Sequence, residues 1–355
     1  MKNSTHLLGL AAVLGLLTTS AVAITVGQVD TFQSGTRLNW AGGSSPTNIA
    51  NGGPLGTGDR FLQLTSTGGF GQGSQMATYN DFQWAGNYIT EGVRMIECDM
   101  KNLGFTDLHM RLVFFSQAFS RYTSVDPIIL PAGGNWVRCY FPMREADLVL
   151  VDGSETYADA LATTFRAMIR HNTVPQSTGE PIAAQLGIDN ITASAGWRIS
   201  GNLNLEGLSV APPSSVMFEY RAPSSPAVVY RCPATVAPNG DYTVYSPPTP
   251  GAYDVSVKVT HWLRRTINSP NTNGDISGFD IILLNGDVDD DNEVTIGDYA
   301  QLSSAFGSSP GDPNWNAMAD LDGDDEVTIG DFSLLSNNFG EVGDEIGRAS
   351  CRGRV

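Results

Sequence analysis

The sequence predicts a mainly β protein: two β-sandwich units in series, then a short all-α repeat. Three observations predict it. Apolar and polar residues alternate in short runs through the first 285 residues, the two-residue period of half-buried strands. Gly 39 and Pro 19, with only 16% charged residues, favour many short strands and turns over long helices. One acidic phrase is written twice near the end, and each copy is followed by apolar residues at helical spacing. A length of 355 residues implies two or three domains, and 41% hydrophobic residues suffice for packed cores.

The first element is MKNSTHLLGLAAVLGLLTTSAVA, residues 1–23. Lys2 precedes an apolar run, Leu7 to Leu17, that is short for a bilayer span, and Ala21-Val22-Ala23 fits the small residues of a cleavage site. A secretory signal is expected, and with it a secreted or cell-surface bacterial protein that has no membrane insertion after signal removal. No later stretch is long and apolar enough to span a membrane.

Residues 24–194 read as the first all-β unit. RFLQLTST (60–67), VRMIECDM (93–100), LHMRLVFF (108–115) and WVRCYFPM (136–143) alternate, are rich in β-branched and aromatic types, and are separated by turn residues. Sheets with one buried face must pack on another sheet, so a sandwich is the economical solution. YADALATTFRAMIRHN (157–172) has helical spacing at its start and predicts a short helix followed by a strand. Cys98 and Cys139 lie in two of the strand-like runs, where a cross-strand pair and two buried free thiols are equally open, and Cys232 reads as a lone thiol. The opening VDTFQSGTRLNW and the closing LGIDNITA resemble the two ends of jelly-roll domains of the galactose-binding or carbohydrate-binding type. The resemblance implies a jelly-roll β-sandwich whose first and last strands lie side by side, with polysaccharide as a ligand class.

Residues 195–285 read as a small second β-sandwich. Gly240-Asp241-Tyr242 and Gly251-Ala252-Tyr253-Asp254 fall where turns enter strands. The pattern G-x-Y-D-V-x-V-K followed by H-W-L-R resembles the prealbumin-like or carboxypeptidase-regulatory-like sandwiches of bacterial secreted proteins. That resemblance implies a spacer. His261 beside Trp262 reads as structural.

The acidic phrase is DVDDDNEVTIGD at 287–298 and DLDGDDEVTIGD at 320–331. Residues 286–344 hold fifteen carboxylates and no Lys or Arg, whereas the 285 residues before them are close to neutral within a net charge of −17. Such a local concentration points to cation binding. Calcium takes six to eight oxygens, and a twelve-residue loop supplies them at positions 1, 3, 5, 7, 9 and 12. These positions are Asp287, Asp289, Asp291, Glu293 (backbone carbonyl), Thr295 (through water) and Asp298 in the first copy. In the second they are Asp320, Asp322, Asp324, Glu326, Thr328 and Asp331, so two calcium ions are expected. Position 6 is Asn292 and Asp325, types that tolerate a left-handed backbone. Ile296 and Ile329 are expected to anchor each loop to the core. YAQLSSAFG and FSLLSNNFG supply the helices, and Trp315 is expected to pack against the second loop.

A duplicated loop plus helix, with Asp at position 12 and no entering helix, resembles a type I dockerin domain over residues 286–340. The resemblance implies calcium-coupled folding and docking to a cohesin through loop positions 10 and 11 and the following helix. Many family members have Ser or Thr there. This chain has Ile296-Gly297 and Ile329-Gly330, which leaves the partner open between a cohesin-like and another cell-surface protein. The last residues, EIGRASCRGRV (345–355, with Cys351), match nothing before them and resemble the translation of a sequencing adapter, so they are expected to be an assembly artefact.

Sparse Lys and Arg exclude a nucleic-acid partner. Polysaccharide-degrading enzymes commonly carry dockerins, so a glycoside hydrolase is one reading, and it needs two carboxylates across a cleft. Glu91, Glu97, Asp99, Asp107, Asp126, Glu145, Asp147 and Asp152 form no recognisable motif and read mostly as solvent-face charges. His109 and His171 stand alone. No catalytic residue is assigned, and the balance leans away from an enzyme. A carbohydrate-binding head has the candidate platforms Trp40, Trp84, Tyr88, Tyr122 and Trp136, with Asp30 and Asp189 as a shared structural calcium site. A purely structural surface protein is the third reading. The favoured one is a secreted modular calcium-binding protein whose tail attaches a carbohydrate-binding-like head to a partner.

Overall fold

The computed structural model describes residues 23–43, 46–71 and 73–345. All of the expected signal but Ala23, and all of the expected artefact but Glu345, lie outside the described residues.

The alternating runs of the first unit form two facing antiparallel sheets. One has the order Thr47–Ile49, Phe61–Thr67, Ala183–Ser194, Met95–Asn102, Val137–Pro142. The first strand, Val29–Asp30, pairs with Ala183–Ser194 in the register Val29 to Thr192, so the two ends of the unit do lie side by side. The other sheet has the order Leu148–Asp152, Arg121–Ser124, Leu108–Ser116, Thr164–His171, Ala77–Asn80, with Ile128–Leu130 beside Leu108–Ser116. Leu62 and Leu64 from one sheet and Met110, Leu112 and Phe114 from the other meet in a shared core, as a two-residue period requires. Helix α1 (Tyr157–Ala162) is capped by Thr156 and runs into the strand Thr164–His171, the helix-then-strand order its sequence predicts.

Cys98 and Cys139 stand opposite each other across neighbouring strands, and both thiols are buried and free. Burial pushes the Cys139 thiol up to about 12.

The second unit is one seven-strand ladder: Arg265–Ile267, Asp254–Val257, Ser215–Arg221, Val228–Val236, Asp241–Tyr245, Arg198–Leu205, Ile281–Leu283. Its edge strands approach each other, so the two faces of this small sandwich are joined by one coiled sheet around Phe218, Tyr220, Val244 and Trp262. It packs on the first unit through polar contacts. Tyr230 Oη donates to Glu97 Oε2 at 2.9 Å, Arg138 Nη2 lies 2.9 Å from the same oxygen, and Tyr140 stacks on Tyr245 at 5.7 Å. Glu97 is therefore fully buried, which corrects its reading as a solvent-face charge. A carboxylate there is tolerated because Arg138 and Tyr230 replace its water.

The acidic tail forms two short helices, α2 (Ile296–Ala305) and α3 (Ile329–Asn337), over a small core of Val288, Val294, Leu302, Leu321, Val327 and Leu335. Leu263 of the second unit enters this core, and Trp315 packs against it. Further bonds tie the two together. His261 O accepts from the N–H of Gly286 and of Asp287 at 3.0 and 3.1 Å. Arg264 N donates to Asn292 Oδ1 at 2.7 Å, and Asn338 Nδ2 donates to Glu206 Oε2 at 2.5 Å. Gly207, at φ +76°, lets the sheet approach α3 so closely that a Cβ would fall inside the Leu334 side chain. Among the described residues no helix is long and apolar enough to cross a membrane.

Candidate functional site

Each acidic loop is shaped by its own side chains. Asp290 and Asn292 in the first, and Gly323 and Asp325 in the second, adopt positive φ (63°, 74°, 77° and 67°), so the chain reverses tightly at positions 4 and 6. Asp289 Oδ1 accepts from Asp291 N, and Asp291 Oδ1 from Glu293 N, at 3.3 and 2.9 Å. Asp322 and Asp324 repeat this at 3.2 and 2.9 Å.

The position-12 carboxylates close the loops. Asp298 accepts from Asp289 N at 3.1 Å and Thr295 N at 2.6 Å. Asp331 accepts from Leu321 N at 2.6 Å and Thr328 N at 2.7 Å. Thr295 and Thr328 are helix N-caps whose hydroxyls accept from Gly297 N and Gly330 N, both at 3.1 Å. VTIGD thus encodes a capping box, with Thr as N-cap and Asp at N3.

This scaffold aims the other carboxylates at one point per loop. Asp287, Asp289 and Asp291 present ligand oxygens within 4.8 Å of one another, and so do Asp320, Asp322 and Asp324. Asp287 Oδ1 is buried with no hydrogen-bond partner among the described residues, and nothing donates to the carbonyls of Glu293 and Glu326 there. Burial, then neighbouring carboxylates, pushes Asp289 and Asp322 up. Burial also raises Asp287 and Asp320, opposed by Lys258 for the first and by backbone N–H groups for the second. Crowded carboxylates that resist ionisation call for a cation, and an all-oxygen donor set of this size fits calcium.

The loops differ in one contact that sequence reading missed. Lys258 Nζ lies 2.8 Å from Asp287 Oδ2 and 2.6 Å from Asp290 Oδ1. Its signal in the sequence was negligible, because a lysine at a strand end reads as an ordinary solvent-face charge. The expected anchors also need correction. Ile296 and Ile329 are 69% and 66% exposed. Val294 and Val327, at position 8, are fully buried and take the anchoring role. Position 10 starts the helix and faces outward, whereas position 8 still lies on the inner side of the loop.

In the head, the structure buries four of the five expected sugar platforms. Trp40, Trp84, Tyr88 and Tyr122 are core residues. Trp136 packs edge-on against Phe61 at 5.3 Å and donates to Gly52 O at 2.8 Å. Asp30 and Asp189 do not form a shared cation site. Asp30 accepts from the indole N–H of both Trp40 and Trp84 at 2.7 Å and from Gln83 at 3.1 Å. Asp189 stands two residues from Ile191, the cross-strand partner of Asp30; its charged neighbours are Asp59, Asp99 and Arg138, and burial pushes it up to about 7. His171 Nδ1 accepts from His109 N at 2.9 Å, so the two histidines meet as a structural pair.

No curated protein matches the chain. Among solved structures, a type II cohesin-X-dockerin complex from Acetivibrio cellulolyticus is 20% identical over 41% of this chain and 97% of that one, with a TM-score of 0.34. An exo-beta-agarase is 14% identical over 47% and 24%, with a TM-score of 0.34. A family 11 carbohydrate-binding module from Clostridium thermocellum, in complex with a mixed-linked tetrasaccharide, is 14% identical over 46% and 92%, with a TM-score of 0.31. Both loops and both helices lie within residues 285–340, and that segment matches the family model of the dockerin type I domain.

Proposed function

We propose that the chain is an extracellular modular protein whose calcium-folded tail attaches a saccharide-binding β head to a cohesin-like or other cell-surface protein. Residues 24–194 are the head, 195–285 a rigid connector and 286–344 the docking tail. Two calcium ions are assigned. One is held by Asp287, Asp289, Asp291, the Glu293 carbonyl, Asp298 and, through water, Thr295. The other is held by Asp320, Asp322, Asp324, the Glu326 carbonyl, Asp331 and, through water, Thr328. Without cations, carboxylates this close repel, so the tail's folding is coupled to binding.

One observation carries the docking reading. Each helix begins on an exposed Ile and is followed, at the same spacing, by an exposed Phe: Ile296 and Phe306 for the first, Ile329 and Phe339 for the second. Apolar side chains presented twice on an otherwise acidic surface fit a protein partner. The leader-like N-terminus supports an extracellular setting, where calcium is available to sites of this kind.

The test is calorimetry of the full chain against a panel of cohesin modules, with calcium and with chelator. Binding that needs calcium and weakens in Ile296→Asp and Ile329→Asp supports the reading. Binding that survives the chelator, or no binding across the panel, removes the cohesin partner.

A further inference from the structure

The outer face of the head's second sheet carries a cluster of arginines whose charges are unevenly matched. On the strand Thr164–His171, Arg166, Met168 and Arg170 follow at two-residue spacing and point outward together. Arg166 shows what such an arginine does when it has a partner. Its Nε and Nη2 edge grips the Asp81 carboxylate at 2.7 and 2.6 Å, and its guanidinium lies 3.9 Å over the Tyr79 ring.

Arg170, four residues on, has the same edge without a carboxylate. Its residue is 3% exposed, Nη1 donates to Ser177 O at 2.8 Å, and Nε and Nη2 are buried with no partner among the described residues. Arg121 stands next to it, its Nε also unpartnered, with Asp152 3.4 Å from Nη1. Arg111, the third of the cluster, spends its donors on the backbone carbonyls of Asn172, Thr173, Ser124 and Val125. Burial, then the charges of Arg121 and Arg111, pushes Arg170 down to about 10, against the opposing charge of Glu180, whose carboxylate is spent on Thr173. A buried guanidinium with its bidentate edge unmatched is costly, and an anion relieves that cost.

Arg170 lines a recess of about 350 Å³ that opens to solvent. Among the described residues no Asp or Glu lines it. Tyr79, Phe115 and Met168 give it apolar walls, with Ser177 and Thr178 at its polar side. A charged fork beside apolar side chains suits an anion carried on a ring, although Arg166 stands over Tyr79 at 3.9 Å and Arg121 over Phe115 at 4.9 Å.

We propose that this recess is a binding subsite for the carboxylate of an acidic saccharide, a uronate, met by Arg170, the lining residue whose Nε and Nη2 have no other partner among the described residues, with Arg121 adding charge. It rests on the reading of the head as a saccharide-binding unit and narrows that reading to anionic glycans.

The test is calorimetry of the full chain in calcium against tetragalacturonate, its methyl ester, a neutral galactotetraose and inorganic sulfate. The acid binds, and the ester, in which the charge is removed and the ring kept, binds at least about 30-fold more weakly. Arg170→Gln loses acid binding by a similar factor at unchanged melting temperature, and Arg170→Lys, which keeps the charge but not the fork, falls between. If Arg170→Gln does not fold, Arg121→Gln and the acid-to-ester ratio of the unaltered chain decide. Equal binding of acid, ester and neutral sugar overturns the uronate subsite and leaves the head a saccharide binder. Sulfate bound as tightly as the acid overturns it in favour of a simple ion site. Failure of all the saccharides to bind sinks both readings.

Discussion

Lys258 Nζ sits 2.8 Å from Asp287 Oδ2, so the second unit places its own cation against position 1 of the first acidic loop. Asp287 Oδ1, the other oxygen, remains without a partner and available to an ion. In the second loop, among the described residues, Asp320 accepts only from the backbone N–H groups of Gly323 and Asp325, at 2.9 and 3.0 Å. Two near-identical sequences therefore form two unequal sites.

Lys258→Met leaves more uncompensated negative charge in the first loop. Calcium binds that loop more tightly by about 1–2 kcal/mol, while the calcium-free chain is less stable. The second loop keeps its affinity. Calorimetric titration that resolves two sites checks this, and unchanged affinity at both contradicts the asymmetry.

Asp331 closes the second loop and caps α3 with one carboxylate. Asp331→Ala removes both functions and costs roughly 2–3 kcal/mol of tail stability in calcium. Asp331→Asn keeps an acceptor and loses less. In both variants the calcium stoichiometry falls by one, read from titration, and the first loop still binds.

The second unit is built into the tail rather than tethered to it, and this differs from the spacer expectation. Gly207→Ala puts a methyl group into Leu334 and strains a positive φ. The tail loses about 1–3 kcal/mol. In differential scanning calorimetry the tail's transition moves down and the head's does not; a coincident shift of all transitions, or none, contradicts the local contact.

These examples show what was legible in the sequence and what was not. Periodicity exposed the strands, and the repeated phrase exposed both loops, because these features are local and are written in consecutive residues. The left-handed positions Asn292 and Asp325 were readable for the same reason. Contacts between distant segments were not. Glu97 meets Tyr230 133 positions away, and Lys258 meets Asp287 29 positions away. Their meaning depends on register and on how the units dock, which composition does not encode. Ile296 and Val294 are both apolar and two residues apart, and only the turn into α2 decides which one faces the core.

Asp189 gives a pH signature in the head. Its folded carboxyl is raised to about 7 by burial, so between its unfolded value and pH 7 the folded state binds the extra proton. Stability from this group therefore rises as pH falls through 7, and the carboxylate is destabilising above it. Asp189→Asn is more stable than the unaltered chain at pH 8, by roughly 2 kcal/mol in denaturant unfolding, and the gap closes towards pH 4. A gap independent of pH contradicts the assignment.

Residues 286–344 are proposed to fold around two calcium ions. Isothermal titration of the chelator-treated full chain with calcium, followed in parallel by far-ultraviolet circular dichroism, is the decisive experiment. Two ions per chain, a gain in helical signal as they bind, and reversal by chelator are expected. No heat at millimolar calcium, with helical signal unchanged, would contradict it.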